Sequence, residues 1–200
     1  INEVGLGEEA ARYAVERIGY KGNVVILEGP VGVESVRNIA IGIYRILDNY
    51  PDAIRVFSLT SAVSVDAALD LTNRILKNYA GNIQAIIAVD STLVVGAVQA
   101  VQLYGLTEEI ITVGVGAGEE ACRQIMLKQH DAEVDLMPYE RGLEALKAAM
   151  DALKDVPFSE DTETPNGEVL TKTKFGPSRL ITSANYRVLE RMWPNLFIQK

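Results

Sequence analysis

The sequence predicts an α/β fold: an open, mainly parallel five- to six-stranded sheet with helices on both faces, in three layers. Short runs rich in β-branched residues alternate strictly with stretches of amphipathic helix periodicity. The strand-length runs are apolar throughout rather than alternating, which is typical of strands that are buried on both faces. Strict alternation of strand and helix favours right-handed crossovers between parallel neighbours. These observations together predict the layered architecture.

The predicted elements follow one another with short connections. The strands are Val24–Glu28, Arg55–Leu59, Ala85–Val89, Ile110–Val115 and Ala132–Met137. The helices are Glu3–Ile18, Glu34–Asn49, Ser64–Tyr79, Thr92–Tyr104, Gly118–Gln129 and Tyr139–Leu153. Gly19, Gly81 and Gly105 follow three of these helices, where a left-handed cap residue is favoured. Ser64 is a suitable amino-terminal cap for the third helix.

The composition changes after Leu153. The segment Lys154–Ser178 is rich in proline, glycine and acidic residues and has no periodic apolar face, which predicts an irregular crossing segment. One more short strand is expected at Arg179–Thr182 and a helical turn at Tyr186–Arg191. We therefore expect an α/β lobe over residues 1–154 and an irregular tail over residues 155–200.

The composition excludes several classes of function. Of 200 residues, 48% are hydrophobic, so a substantial core can form, whereas a net charge of −8 disfavours nucleic acid and anionic membrane surfaces as partners. The single cysteine, Cys122, excludes an internal disulfide, and every apolar run is shorter than the roughly 18 residues of a membrane helix. Ile1 is not a natural start residue. We therefore expect a piece of a longer protein, with any targeting signal upstream.

Asp90 is the strongest candidate for a ligand-binding residue. In open parallel sheets, ligands bind beyond the carboxyl ends of the strands, where the strand order reverses. Asp90 ends an apolar strand and opens a helix. Its carboxylate can accept hydrogen bonds from ligand hydroxyls or a ligand ammonium, or it can cap the helix. Both roles stay open, because a cap leaves one carboxylate oxygen free.

The segment Gly116–Ala121 matches the G-x-G-x-x-A dinucleotide fingerprint. However, it follows the fourth strand rather than the first, and Glu119 and Glu120 place negative charge where a pyrophosphate would bind. A tight turn whose acids complement the helix dipole is the favoured interpretation. The turn Gly29–Gly32 lacks the lysine and hydroxyl residue of a phosphate loop, which disfavours a nucleotide triphosphatase.

The other candidates for chemistry are few. His130 is the only histidine, and we expect it to be a solvated surface residue. With one histidine and one cysteine, neither a zinc cluster nor a Cys–His catalytic pair is indicated, and no G-x-S-x-G nucleophile elbow occurs. We therefore expect no catalytic residue, no metal and no cofactor. The sequence predicts a binding protein rather than an enzyme.

Five segments, in order, carry a family resemblance: Asn2–Gly7, Gly29–Gly32 with Arg37 and Gly42-Ile43, Ile86–Ser91 with Gly96-Ala97, Ile111–Gly116, and Leu180–Asn185. In this order and spacing, the chain resembles the carboxyl-terminal lobe of type I periplasmic binding proteins, the ribose- and galactose-binding class of solute receptors. The resemblance implies a clam-shell receptor that clamps its ligand by hinge closure. Its other lobe would lie upstream, and residues 155–200 would form a hinge-crossing tail.

The resemblance also implies which residues contact a ligand. The family's pocket positions fall on Ile39, Ser64, Asp90 with Ser91, Gly116 and Leu136. Of these, Asp90 alone keeps a strong polar group. Three explanations are open: a small neutral or cationic ligand that is sugar-like but less polar, a missing amino-terminal lobe that does most of the polar recognition, or a ligand bound outside the usual cleft.

The resemblance implies partners and a location as well. The expected partner is an ABC permease or a sensor kinase, and the expected location is periplasmic or extracellular, with or without a lipid anchor. The alternative is the effector-binding lobe of a lactose-repressor-type transcription regulator, which would be cytoplasmic. The P-x-D-x-x-V-x-G-F-D-D and L-T-T-V patterns of those regulators are absent from this sequence.

Overall fold

The structure is a computed structural model that describes residues 1–52, 54–60 and 62–198. Its helices are α1 Glu3–Arg17, α2 Glu34–Leu47, α3 Val65–Tyr79, α4 Ser91–Leu103, α5 Glu119–Met126 and α6 Pro138–Ala152. Its strands are β1 Gly22–Glu28, β2 Ile54–Thr60, β3 Ala85–Ala88, β4 Ile111–Val115, β5 Ala132–Asp135, β6 Thr162–Asn166, β7 Val169–Thr173 and β8 Arg179–Thr182. Short 3-10 helices span Ala80–Asn82, Tyr186–Leu189 and Pro194–Phe197.

The main sheet has six strands in the order β2-β1-β3-β4-β5-β8, and the neighbours from β2 to β5 pair in parallel. The chain runs from β1 to its neighbour β2, returns to β3 on the other side of β1, and continues outward. Right-handed crossovers therefore place α2 on one face and α3, α4 and α5 on the other. Helix α1 packs against α2, and α3 packs against α4. The predicted three-layer α/β class is confirmed.

The sheet is buried because both of its faces carry helices. Residues Val24–Leu27 of β1 and all of β3 have no exposed surface. The helix pairs approach closely at glycines. A Cβ on Gly42 of α2 would strike the backbone of Val4 in α1, and one on Gly96 of α4 would strike the backbone of Val65 in α3. The close spacing of these helices therefore requires glycine, which has no side chain, at both positions.

The chain divides into two compact units. The larger unit contains Glu3–Asp135 and the chain from Leu180 onward, and the smaller contains Ile1–Asn2 and Leu136–Arg179. After β8, the segment up to Phe197 packs onto a buried cluster in the larger unit. The lobe boundary expected after Lys154 lies inside the smaller unit and stays a prediction, and residues 199 and 200 of the expected tail lie outside the described residues.

Two local predictions need correction. Gly81 lies within the 3-10 helix and is not left-handed, whereas Gly19 and Gly105 have φ angles of 68° and 70° as predicted. The segment Lys154–Ser178 is not wholly irregular, because β6 and β7 form an antiparallel hairpin in it. Both strands are largely exposed, which explains why no apolar periodicity marks them.

The smaller unit contains α6 and this hairpin. None of the described residues of α6 is buried. Large apolar side chains recur along the helix at spacings of four and three residues, and each is at least 46% exposed: Tyr139, Leu143, Leu146, Met150 and Leu153. We call these five residues the α6 stripe. Among the described helices, none combines the length and apolarity needed to cross a bilayer.

Candidate functional site

The candidate site lies at the carboxyl edge of the main sheet, where the strand order reverses. The reversal occurs between β1 and β3, which pair up to Leu27 and Ala88. Glu28 ends β1, and Asp90 follows β3 by two residues. The rule for open parallel sheets places a ligand at this point.

Asp90 caps helix α4. Its backbone is extended, and its Oδ1 accepts a hydrogen bond of 2.6 Å from the Thr92 amide. Among the described residues, Thr92 is the one whose hydrogen bond reaches this carboxylate, so the second oxygen is left for a ligand. The capping role is therefore observed, and the ligand-binding role stays a prediction.

The Ser91 hydroxyl is used inside the protein. It donates to Glu133 Oε2 at 2.7 Å and accepts from the Gly118 amide at 3.1 Å. The residue is only 9% exposed. Both acceptors within reach of its single hydrogen, Glu133 Oε2 and the Val115 carbonyl at 3.3 Å, belong to the protein, so Ser91 helps to fix the start of α4.

The turn after β4 is strained, and its amides are hydrogen-bonded within the protein. Gly116 has φ 134°, and a Cβ there would lie 2.7 Å from Ser91 Oγ, so only glycine fits. Ala117 is left-handed, with φ 54°. Its amide donates to Glu133 Oε2 at 2.7 Å, and its carbonyl accepts from Trp193 Nε1 at 2.9 Å. The amides of Ala117 and Gly118 are thus both occupied, which favours the tight-turn interpretation over a phosphate-binding turn.

The other three predicted positions lie on other elements: Ile39 in α2, Ser64 in the turn between β2 and α3, and Leu136 directly after β5. Ile39 is 8% exposed in the middle of α2 and packs where α1 approaches at Gly7. Ser64 is exposed and caps α3 as predicted, through a 3.2 Å bond from the Ala67 amide. Leu136 is half-buried and belongs to the smaller unit. The structure therefore brings together Asp90, Ser91 and Gly116.

Glu28 is a further candidate for the site, which the sequence did not single out. Its Oε1 accepts hydrogen bonds from Tyr44 Oη and Ser58 Oγ, each at 2.6 Å. Burial raises the pKa of Tyr44, and the hydrogen bond to Glu28 raises it further. A surface cavity of about 260 Å³ lies beside Glu28 and is lined chiefly by apolar residues of the Gly29–Gly32 turn and of α2. The sequence feature that could have identified Glu28 is its position as an acidic residue at the end of an otherwise apolar strand.

The prediction for His130 is wrong. The residue is 4% exposed, with Nδ1 2.7 Å from Thr112 Oγ1 and Nε2 3.4 Å from Glu133 Oε1. The physical reason is that β5 buries two acidic residues, Glu133 and Asp135, and a buried carboxylate needs a compensating partner. Acidic residues in a strand expected to be buried could have indicated this role for the histidine three residues earlier.

Comparison with known proteins identifies the family. Residues 1–155 match the family model described as a periplasmic binding protein domain. The chain belongs to this family. The D-allose-binding periplasmic protein of Escherichia coli strain K12 is 28% identical over 154 residues, which are 76% of this chain and 49% of that protein. The ribose import binding protein RbsB of Bacillus subtilis strain 168 is 27% identical over 178 residues, 88% of this chain and 52% of that protein.

Solved structures show the same fold. A periplasmic solute-binding protein of an ABC transporter from Actinobacillus succinogenes 130z, with bound D-allose, superposes with a TM-score of 0.78 at 23% identity and covers 94% of this chain and 61% of that one. A sugar-binding protein from Bacillus halodurans superposes with a TM-score of 0.79 at 16% identity and covers 94% and 64%.

The resemblance to type I periplasmic binding proteins is confirmed, and these relatives are binding proteins rather than enzymes. The chain spans about half the length of these two curated relatives.

Proposed function

We propose that this chain is lobe two of an extracytoplasmic solute-binding protein that captures a small, sugar-like ligand for an ABC importer or a membrane sensor. The observation that carries the proposal is the free carboxylate oxygen of Asp90 at the point where the strand order reverses. A sheet edge of this kind binds small molecules through a few placed polar groups. The family match supports the periplasmic or extracellular location.

The ligand is neutral or cationic and less polar than a simple sugar. In the larger unit, the hydroxyl of Ser91 and the amides of Ala117 and Gly118 are already bonded within the protein. An anion would be repelled by Asp90 and would find these amides occupied. A xylitol-binding protein of Mycolicibacterium smegmatis, 28% identical over 124 residues that cover 62% of this chain and 35% of that protein, supports a neutral, sugar-like ligand.

The remaining polar recognition belongs to an amino-terminal lobe that this sequence does not include. The α6 stripe supports this part of the proposal, because five exposed apolar residues on one side of a helix form a surface that another domain can cover. The limited share of the curated relatives that the chain spans agrees with it. The effector-lobe alternative is less favoured, because the relatives carry the names of transport receptors.

The decisive experiment uses the two-lobed protein and the variant Asp90→Ser. Serine keeps the cap acceptor for Thr92 but removes the free carboxylate oxygen, so helix stability should change by less than about 0.5 kcal/mol. Isothermal titration with xylitol, a deoxy sugar, an amino sugar, D-ribose and D-glucose identifies a binding compound. We expect Asp90→Ser to weaken its affinity at least tenfold, about 1.4 kcal/mol.

Two results would count against the proposal. Unchanged affinity of Asp90→Ser would reduce Asp90 to a helix cap. Micromolar binding of D-ribose or D-glucose would contradict the less polar pocket, since we expect these two sugars to bind weakly or not at all.

A further inference from the structure

We propose that Glu133 is a positioning residue, whose buried carboxylate ties the Asp90-Ser91 turn to the Gly116–Gly118 turn and so fixes the place where Asp90 meets a ligand. The inference deepens the proposed function and depends on it for the role of Asp90. The structural core of the proposal, that Glu133 holds two turns together, is testable without a ligand.

One oxygen of Glu133 joins two elements that are distant in sequence. The side chain comes from β5 and has no exposed surface. Its Oε2 accepts from Ser91 Oγ, at the start of α4, and from the Ala117 amide, each at 2.7 Å. The Gly118 amide donates to the same Ser91 hydroxyl at 3.1 Å. These bonds close a ring in which the turns are joined directly, by Gly118 and Ser91, and a second time through the Glu133 carboxylate.

The turn held by Glu133 would not keep its shape unaided. Ala117 is in the left-handed region, which is unfavourable for a residue with a Cβ and persists only when the surroundings impose it. Both of its backbone groups are fixed by remote side chains, the amide by Glu133 and the carbonyl by Trp193. The neighbouring glycines leave room for this arrangement, since a Cβ on Gly114 would strike the Glu133 carboxylate.

The other oxygen of Glu133, Oε1, faces His130, and among the described residues neither Oε1 nor His130 Nε2 has a hydrogen-bond partner. His130 Nε2 lies 3.4 Å from Glu133 Oε1, and both side chains are fully buried. This pairing raises an alternative: Glu133 could serve only the stability of the core, as the partner of His130. A purely stabilising role and a positioning role predict different patterns of amide exchange.

The test is amide hydrogen exchange by NMR on this chain with Glu133→Gln and Glu133→Ala. We expect the amides of Ala117, Gly118 and Thr92 to exchange at least tenfold faster relative to the amide of Ile87 in β3, which reports the stability of the whole sheet. Glu133→Ala should act more strongly than Glu133→Gln, because glutamine keeps one acceptor oxygen.

Leu76→Ala is the matched control, since Leu76 is fully buried in α3 and has no bond to either turn. Leu76→Ala should accelerate the exchange of all amides together and leave the ratio of each exchange rate to that of Ile87 unchanged. Should the Glu133 variants fail to fold, Ser91→Ala provides a second test: Gly118 should exchange faster while Ala117 keeps its bond to Glu133. Equal acceleration of all amides in the Glu133 variants, or no selective change in Ser91→Ala, would overturn the positioning role.

Failure of this inference is distinguishable from failure of the proposed function. The exchange ratio tests the tie between the turns, whereas the affinity of Asp90→Ser tests the ligand site. A changed affinity in Asp90→Ser with an unchanged exchange ratio in Glu133→Gln would remove Glu133 from the site and leave Asp90 in it.

Discussion

At the scale of single residues, the hydrogen bond from Tyr44 to Glu28 gives the site edge a dependence on alkaline pH. The pKa of Tyr44 is raised above 10 by burial and by this bond, so the neutral phenol is favoured in the folded state. The resulting stability is present below about pH 10 and is lost as the pH rises through the folded pKa. We predict that the free energy of unfolding falls as the pH rises above about 10, and that Tyr44→Phe makes this fall shallower.

Urea unfolding at a series of pH values measures the effect. Tyr13, whose pKa is also raised by burial, provides the companion variant: Tyr13→Phe should remove a separate part of the slope, and the two losses should add. If the unfolding free energy of Tyr44→Phe fell with pH as steeply as that of the parent protein, the bond from Tyr44 to Glu28 would not contribute to the loss of stability at alkaline pH.

The residues of the site differ in how far the sequence could predict them. The helix cap at Asp90 was predictable, because Asp is a favoured cap residue between a strand and a helix, whereas its ligand-binding role stays a prediction. The hydrogen bond from Ser91 to Glu133 was not predictable, because it depends on the register of β4 against β5, which pairs Gly114 with Glu133. Sequence patterns show which residues a strand buries, but not which neighbour a buried polar group reaches.

At the scale of elements, the contact between α1 and α2 makes a glycine in a helix favourable. Alanine is normally preferred to glycine in a helix interior by about 1 kcal/mol. At Gly42, however, an added Cβ would strike the backbone of Val4, which cannot move without separating the helices. We predict that Gly42→Ala lowers the free energy of unfolding by about 1–3 kcal/mol.

Gly142 in α6 is the matched control, because a Cβ there meets no atom within 4 Å. Gly142→Ala should leave stability unchanged or raise it by up to about 1 kcal/mol. Denaturant unfolding followed by circular dichroism compares the two variants. Equal effects of both would show that helix propensity, and not the close approach of α1 and α2, decides the cost.

The main-sheet strands and the helices that pack on them were predictable, because each buries at least one face. The exposed hairpin was not recognised. The strands β6 and β7 carry threonine, glutamate and lysine, so burial imposes no pattern on them. The signal that could have identified the hairpin is Gly167, since glycine at the first position of a two-residue loop is typical of hairpin turns, and Gly167 indeed has φ 64°. Turn chemistry was informative where hydrophobic periodicity was not.

At the scale of the whole molecule, the exposed α6 stripe indicates that this chain alone does not fully stabilise α6. A helix of 15 residues is marginal in water unless an apolar face packs against other structure. None of the described residues of α6 is buried, while β3 in the larger unit is wholly buried. The two compact units should therefore differ in local unfolding free energy.

We predict that, in this chain alone, the amides of α6 exchange much faster than those of β3. In a protein that also contains the proposed amino-terminal lobe, they should be protected at least 100-fold further, about 2.7 kcal/mol. Hydrogen exchange with mass spectrometry on both proteins measures the difference. Leu146→Gln should remove much of the gain, because Leu146 belongs to the stripe, whereas its neighbour Lys147→Gln should leave it intact. Equal protection of α6 with and without the added lobe would mean that the stripe is a free surface, and the two-lobed receptor would then lose the support that α6 gives it.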